Sequence, residues 1–302
     1  MWSAATKYLL LWVSTAIAVS ASSDATTPAR PGRRCGSEIS SDKFRLFEAD
    51  GQNANSKNSQ SSPTLDQFPQ VSIDVYWNVV AANQTYEGGW ISREDLAIQM
   101  NVLNQDYKAF GLSFNAKLVT RIINPTWFNQ IVHSTDTTMQ DALKQKYRKG
   151  DVKTLNIYTV GFLNDHTLGY STFPFEYSDA PHNDGVMIRW DTTPGGVPPF
   201  HLGKTVTHEV GHWLGLYHTF QGNDCNGAGD GVDDTPPERN ATSGCPAQKD
   251  TCSGGGVDPI HNYMDYSDDD CLNQFTNGQM LRARTYTAYY RQIGVPAGFT
   301  TS

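Results

Sequence analysis

Apolar residues along this chain follow two rhythms, one of period two and one near 3.6 residues, and the places where they change mark the elements. Val71 to Val80 (VSIDVYWNVV) is β-branched, aromatic and partly alternating, which predicts a first strand. Ser92, with Asp95 three residues on, opens a run in which Leu96, Met100, Leu103, Tyr107 and Phe110 recur at helical spacing. An amphipathic helix of about five turns follows. Leu112 to Leu118 and Thr154 to Leu163 read as further strands, with a helix from about Thr137 to Lys149 between them. Leu168 to Phe173 and Gly185 to Trp190 read as short strands. A final helix is expected from about Asn277 to Ile293, with Met280, Leu281, Tyr286, Tyr289 and Tyr290 as its apolar positions. The order strand, helix, strand, helix, strand predicts an α/β lobe.

Three stretches carry neither rhythm. Ala49 to Pro63 (ADGQNANSKNSQSSP) is polar and of low complexity, which predicts a linker or surface loop with the compact domain starting just after it. Beyond His218 the composition turns to Gly, Asp, Asn, Pro and Cys, so little regular structure is expected and disulfides must hold that region. At the start, Tyr8 to Val19 is apolar but too short to span a bilayer, and the small residues Ala16, Ala18, Ser20, Ala21 and Ser22 lie along and just after it. This reads as a signal peptide over 1–20, followed by a propeptide-like segment over 21–62 and a compact domain over 63–302 that divides near residue 218. A buried N-terminal helix is the alternative, but such a helix would run into the Ser/Thr/Pro-rich stretch from Ser20 to Pro31. No other apolar run approaches about 18 residues, so no membrane span is expected.

With 302 residues and 38% hydrophobic content, the chain can bury a sizeable core in one large domain or two modest lobes. A net charge of −8 without a Lys/Arg cluster excludes a nucleic-acid partner. The sequons at Asn83 and Asn240 fit N-glycosylation of a secreted chain. Of five cysteines, Cys225, Cys245, Cys252 and Cys271 lie in the last third, and Cys35 stands apart. In an oxidising compartment the four form two disulfides, with three connectivities open from spacing alone. A structural zinc site is the rival, although no paired C-x-x-C is present.

The chemistry is concentrated in Thr205 to Phe220 (TVTHEVGHWLGLYHTF), which contains H-E-x-x-H-x-x-G-x-x-H. On a helix His208 and His212 project from one face one turn apart, so both can reach one ion. Glu209 sits beside them and can act as a general base on water. Gly215 tolerates a positive φ, letting the chain turn back so that His218 arrives as a third ligand. Three protein ligands leave a position open, which is the arrangement of a catalytic zinc. His133, His166, His182, His201 and His261 have no such spacing and read as surface or structural residues.

Together with Asn262-Tyr263-Met264-Asp265-Tyr266, this motif resembles the metzincin metallopeptidases. The run LGKTVTHEVGHWLGLYHTF, the acidic GDGVDDTP (Gly229 to Pro236) and NYMDYSDD are most similar to the pappalysin group, and within it to fungal extracellular metalloproteases. The resemblance implies a secreted, monomeric zinc endopeptidase of zincin-like α+β fold acting on internal peptide bonds of proteins. Its N-terminal lobe would hold a twisted mixed sheet and two long helices, its C-terminal lobe would be irregular and disulfide-held, and the cleft would lie between. It further implies Met264 as an apolar floor under the zinc, Tyr266 as an oxyanion stabiliser, and Leu168 to Pro174 as an edge strand for extended substrate. It pairs Cys225 with Cys252 and Cys245 with Cys271, and it suggests a structural Ca²⁺ at Asp230, Asp233, Asp234 and Thr235. Arg33-Arg34-Cys35-Gly36 resembles the cysteine switch of matrix metalloproteinase propeptides, in which a thiolate occupies the open zinc position. A role in digesting extracellular or host proteins would follow from fungal relatives. A binding module without activity and a zinc hydrolase of non-peptide bonds are the competing readings.

Overall fold

In the computed structural model, which describes residues 34–57, 63–133, 136–164 and 166–301, the chain runs through α1 (Ser41–Lys57), β1 (Val71–Ala81), α2 (Arg93–Asp106), β2 (Leu112–Ile123), α3 (Pro125–Gln130), α4 (Thr138–Tyr147), β3 (Leu155–Val160), β4 (Gly169–Ser171), β5 (Val186–Arg189), α5 (Lys204–Trp213) and α6 (Asn277–Arg291). The signal-peptide reading of 1–20 and the first part of the propeptide-like segment lie outside the described residues. Among those residues no helix is long and apolar enough to cross a membrane.

The strands form one sheet in the order β2-β1-β3-β5-β4. β1 pairs in parallel with β2 and β3, β3 pairs in parallel with β5, and β4 runs antiparallel to β5 at the edge. Parallel neighbours require crossovers, and the helices that make them cover both faces. On one face Ile73, Val75, Trp77 and Val79 meet Leu96, Met100 and Leu103 of α2 and Val206, Val210 and Trp213 of α5. On the other, Val80, Tyr158 and Val160 pack with Phe128 of α3 and Leu143 of α4. β3 is buried along its whole length, as an inner strand between two covered faces should be.

Local chemistry explains where several elements begin. Ser92 Oγ accepts the Asp95 N–H at 2.9 Å and donates to its carboxylate at 2.7 Å, fixing the start of α2. Thr276 and Gln279 cap α6 reciprocally, each side chain accepting from the other's backbone N–H. β2 extends five residues past the expected Leu118, to Ile123. Ala116 pairs with Val75 and Leu118 with Tyr76, so Lys117 is an extra residue that breaks the alternation on which the shorter reading rests.

Helix α1 corrects the linker reading. It runs to Lys57, through residues expected to be irregular. Its own polar sequence favours no such structure, and distant contacts supply it. Glu48 pairs with Arg282 at 2.6 Å, Tyr290 donates to Asp50 at 2.6 Å, and the Phe44 ring packs on Tyr217. Residues 58–62 fall outside the described set.

After His218 a single 3-10 turn (Gln221–Asn223) precedes α6, and disulfides Cys225–Cys252 and Cys245–Cys271 tie the intervening loops. α6 joins this region to the sheet through buried ionic groups as well as apolar ones. Arg291 and Asp184, both with fully buried side chains, are 2.8 Å apart. Arg291 also donates to Trp213 O at 3.1 Å and stacks on the Trp213 ring, while Trp213 Nε1 donates to Asp184 at 3.2 Å. Replacing Asp184 with Ala would leave a buried guanidinium short of its counter-charge. Such losses cost about 3–5 kcal/mol. Asp184→Ala should therefore lower the urea unfolding midpoint by a corresponding amount, and a midpoint equal to wild type would refute this role.

Candidate metal centre

α5 begins poorly on its own sequence: Gly203 precedes it in a left-handed conformation (φ 82°) and supplies no capping side chain. Asp269, far along the chain, does this work, its Oδ2 accepting the N–H of Leu202 at 2.8 Å and of Lys204 at 3.4 Å. Every residue from Thr205 to Trp213 is buried. Val206, Val210 and Trp213 pack into the core beneath the sheet, His208 and His212 lie on the other side of the helix, and Glu209 sits against Gly169 at the sheet edge. The helix stops because Gly215 takes φ 102°, a backbone shape that side chains resist, and the chain returns to deliver His218.

The three imidazoles converge. His212 Nε2 lies 3.2 Å from His208 Nε2 and 3.1 Å from His218 Nε2. His208 Nδ1 is 2.7 Å from the Tyr263 carbonyl and His212 Nδ1 is 2.8 Å from the Leu216 carbonyl. A carbonyl only accepts, so each Nδ1 carries the proton and each Nε2 turns a lone pair inward. Burial pushes His212 down to about 4 and His218 well below the usual histidine range, so both stay neutral. Neutral lone pairs packed this closely have no partner in one another and suit a cation bound to nitrogen. This donor set fits zinc.

Cys35 completes the cluster: its Sγ and the three histidine donor atoms all lie within 4.8 Å of one another. Burial, then the Glu209 carboxylate, pushes the Cys35 thiol well up, and it donates to Glu209 Oε2 at 3.3 Å. Ser37 Oγ is 3.2 Å from the same oxygen. Tyr266 OH accepts the Cys35 N–H at 3.1 Å and lies 3.3 Å from Cys35 O. The Tyr266 ring centroid is 5.0 Å from that of His218. Met264 is fully buried beneath α5, so close that a Cβ on Gly211 would lie 2.4 Å from its sulfur.

The segment carrying Cys35 runs along β4. Leu168 N–H donates to Arg34 O at 2.8 Å, Gly36 N–H to Gly169 O at 2.9 Å, and Ser171 N–H to Ser37 Oγ at 2.7 Å. The edge strand expected over Leu168 to Pro174 is regular only at Gly169–Ser171.

Other expected residues lie apart. Among the described residues Asp230, Asp233 and Asp234 do not form a carboxylate cluster close enough to share one ion. Asp230 is buried, with burial pushing it up to about 7, whereas Asp233 and Asp234 are exposed and Asp234 accepts the Gly278 N–H at 2.8 Å. Asn83 and Asn240 are both exposed. Cys245, Cys271 and His261 group together, but a disulfide consumes both thiols. Three contributors were not legible from the motif: Ser37 at the base, Tyr263 as acceptor for His208, and Asp106, which bonds Tyr263. Ser37, two residues from Cys35, and Tyr263, next to Met264, have a local signal in the sequence, whereas Asp106 has none.

Residues 199–288 match the model of peptidase family M43, described as pregnancy-associated plasma protein-A. The chain is 44% identical over 238 residues to extracellular metalloprotease 1 of Coccidioides posadasii, covering 77% of this chain and 82% of that one. It is 39% identical over 280 residues to an extracellular metalloprotease of Uncinocarpus reesii, covering 89% and 94%. Its structure resembles that of a promirolysin mutant of Tannerella forsythia, with TM-score 0.68 and 27% identity over 86% of this chain and 95% of that one. Mature mirolysin in complex with a cleaved peptide gives TM-score 0.60 and 28% identity over 75% and 99%. With two relatives this similar over most of their length, and three histidines meeting on the family's own segment, the chain belongs to the pappalysin peptidases of family M43 and is a metalloendopeptidase.

Proposed function

We propose that this chain is the latent precursor of a secreted zinc endopeptidase, made of a signal peptide (1–20), a prosegment (21–62) and a catalytic domain (63–302). The observation that carries the proposal is the meeting of His208, His212 and His218 Nε2 beside the Glu209 carboxylate and the Cys35 thiol. The relatives' name, extracellular metalloprotease, supports secretion, and we propose a role in digesting extracellular or host proteins.

His208, His212 and His218 would hold zinc, which when bound supplies Lewis acidity to the substrate carbonyl and to water. Glu209 holds its carboxylate against the Cys35 thiol, whose sulfur lies within 4.8 Å of the three histidine donor nitrogens. In the active enzyme its Oε2, now engaged by Cys35 and Ser37, accepts a proton from the attacking water and returns it to the leaving amine. Tyr266, whose hydroxyl now bonds the Cys35 backbone, donates to the substrate carbonyl oxygen as charge develops there. Burial, and next the neighbouring Cys35, pushes this phenol well up, which keeps its proton available. The edge of β4 takes an extended substrate by backbone pairing, as it now takes Arg34 to Ser37.

Latency follows from the same contacts. Cys35 would fill the open ligand position as a thiolate, its proton released when the metal binds, while Ser37 engages the base and α1 holds the segment through Phe44, Glu48 and Asp50. We also assign a structural calcium to the Gly229 to Pro236 loop. There the buried Asp230 carboxylate and Thr235 hydroxyl would be the hard-oxygen donors, because Asp233 and Asp234 are exposed and do not gather with Asp230 on one point.

Glu209→Ala in the processed protein should retain one zinc yet lose casein hydrolysis by roughly 10²- to 10⁴-fold. Equal activity in mutant and wild type would remove the base assignment and favour the binding-module reading. Cys35→Ser should give a precursor that cleaves casein before any processing; a silent mutant precursor with intact zinc defeats the switch. Chelating calcium while zinc content is held constant should lower Tm by several degrees, and an unchanged melt would remove calcium.

A further inference from the structure

Asp106, the last residue of α2, lies far from the zinc motif in sequence and is not a ligand. Its carboxylate is 4% exposed. Lys204 Nζ donates to its two oxygens at 2.8 and 2.9 Å, Thr207 Oγ1 donates at 2.7 Å, and Tyr263 OH donates at 2.8 Å. These donors belong to two separate parts of the metal centre. Lys204 and Thr207 are in the first turn of α5, immediately before His208. Tyr263 supplies the backbone carbonyl that accepts the His208 Nδ1–H at 2.7 Å.

A lysine opening a helix that has no side-chain cap is an unfavourable local choice, since the helix dipole repels it. The Asp106 carboxylate offsets both the lysine charge and the dipole. The next residue, Tyr107, adds a hydroxyl bond to Thr207 O at 2.7 Å, so the end of α2 grips the start of α5 twice. Without Asp106 the Tyr263 hydroxyl and the Lys204 ammonium would both lose a buried partner.

We propose that Asp106 is a positioning residue of the metal centre. It holds the first turn of α5 and the Tyr263 side chain on one carboxylate, and so fixes the rotation of the His208 imidazole and the aim of its Nε2 lone pair. The proposal rests on the three-histidine zinc reading above. Partners of this outer kind typically contribute roughly 10- to 100-fold to metal affinity.

The test measures zinc affinity by chelator competition on full-length protein, at a temperature well below each variant's melt. Asp106→Asn should weaken zinc by roughly 10- to 100-fold. Tyr263→Phe keeps the ring and the carbonyl but removes the hydroxyl, and should lose less. The double variant should bind zinc no more weakly than Asp106→Asn alone, because both changes break one chain of contacts. A purely structural role would lower the melting temperature of both variants while leaving zinc affinity within twofold of wild type, and would overturn the proposal. Additive losses would overturn it too. Should Asp106→Asn fail to fold, an unchanged affinity in Tyr263→Phe decides against it and a weakened one supports it. If wild type bound no zinc, the underlying metal reading itself would fail, a result distinct from either.

Discussion

Holding His208, His212 and His218 in a dry interior with their Nε2 atoms 3.1 and 3.2 Å apart constrains everything around them. Desolvation keeps the His212 and His218 rings neutral, and a buried imidazole needs an acceptor for its outer N–H. Within a helix no backbone carbonyl is free to accept it. The Leu216 carbonyl lies beyond the Gly215 turn, and the Tyr263 carbonyl comes from a loop in the second lobe. A chain segment without regular structure must therefore be held to a fraction of an ångström beside α5. Asn262 and Gln279 exchange amide hydrogen bonds at 2.8 and 3.1 Å to tie that loop to α6, and the two disulfides restrain the chain leading to it.

α6 acts as a polar strut in this arrangement. Arg284 donates to the carbonyls of Pro69, Phe110 and Gly111, Arg282 to that of Gly215, and Arg291 to that of Trp213. Loops and helix ends leave carbonyls unpaired, and a planar guanidinium with five donors can serve several at once, which a lysine cannot. The helix thus joins the start of β1, the end of α5 and the glycine turn that delivers His218. Its burial is ionic and aromatic as much as aliphatic.

This explains which parts were legible in the sequence. The zinc motif is legible because its spacing is set within one helix and one turn, where 3.6 residues per turn fixes the outcome. β1 and α2 are legible for the same reason: alternation and capping are local signals. α1 is not, because Phe44, Glu48 and Asp50 gain their partners Tyr217, Arg282 and Tyr290 only when the chain has folded. The far end of β2 is hidden by the bulge at Lys117, and the apolar reading of α6 passed over three buried arginines whose carbonyl partners have no sequence signature. Asp106 lies 98 residues from Lys204 and 157 from Tyr263, so no pattern could link them.

The way the Cys35 segment sits bears on how the proposed latency would be both secure and reversible. Its pairing with β4 uses backbone groups of Leu168 and Gly169, which any extended peptide could use equally. Side chains therefore distinguish it: Cys35 and Ser37, two residues apart, both reach Glu209 Oε2, and the Cys35 sulfur also joins the three histidine donors. Beyond Ser37 the hold is mixed in kind, from the Glu48–Arg282 pair to far more exposed contacts. Lys43 and Glu176 form a pair with side chains 59% and 34% exposed, a class that contributes little, and the Phe44 and Phe47 rings are only half-buried. A cut in the chain between α1 and β1 would leave the segment attached by these contacts together with the Glu48–Arg282 pair and the Tyr290–Asp50 bond, against the translational freedom gained on release. Under the proposed latency, the Cys35 and Ser37 contacts lie where they would block chemistry, and the contacts of α1 are the ones release would have to break.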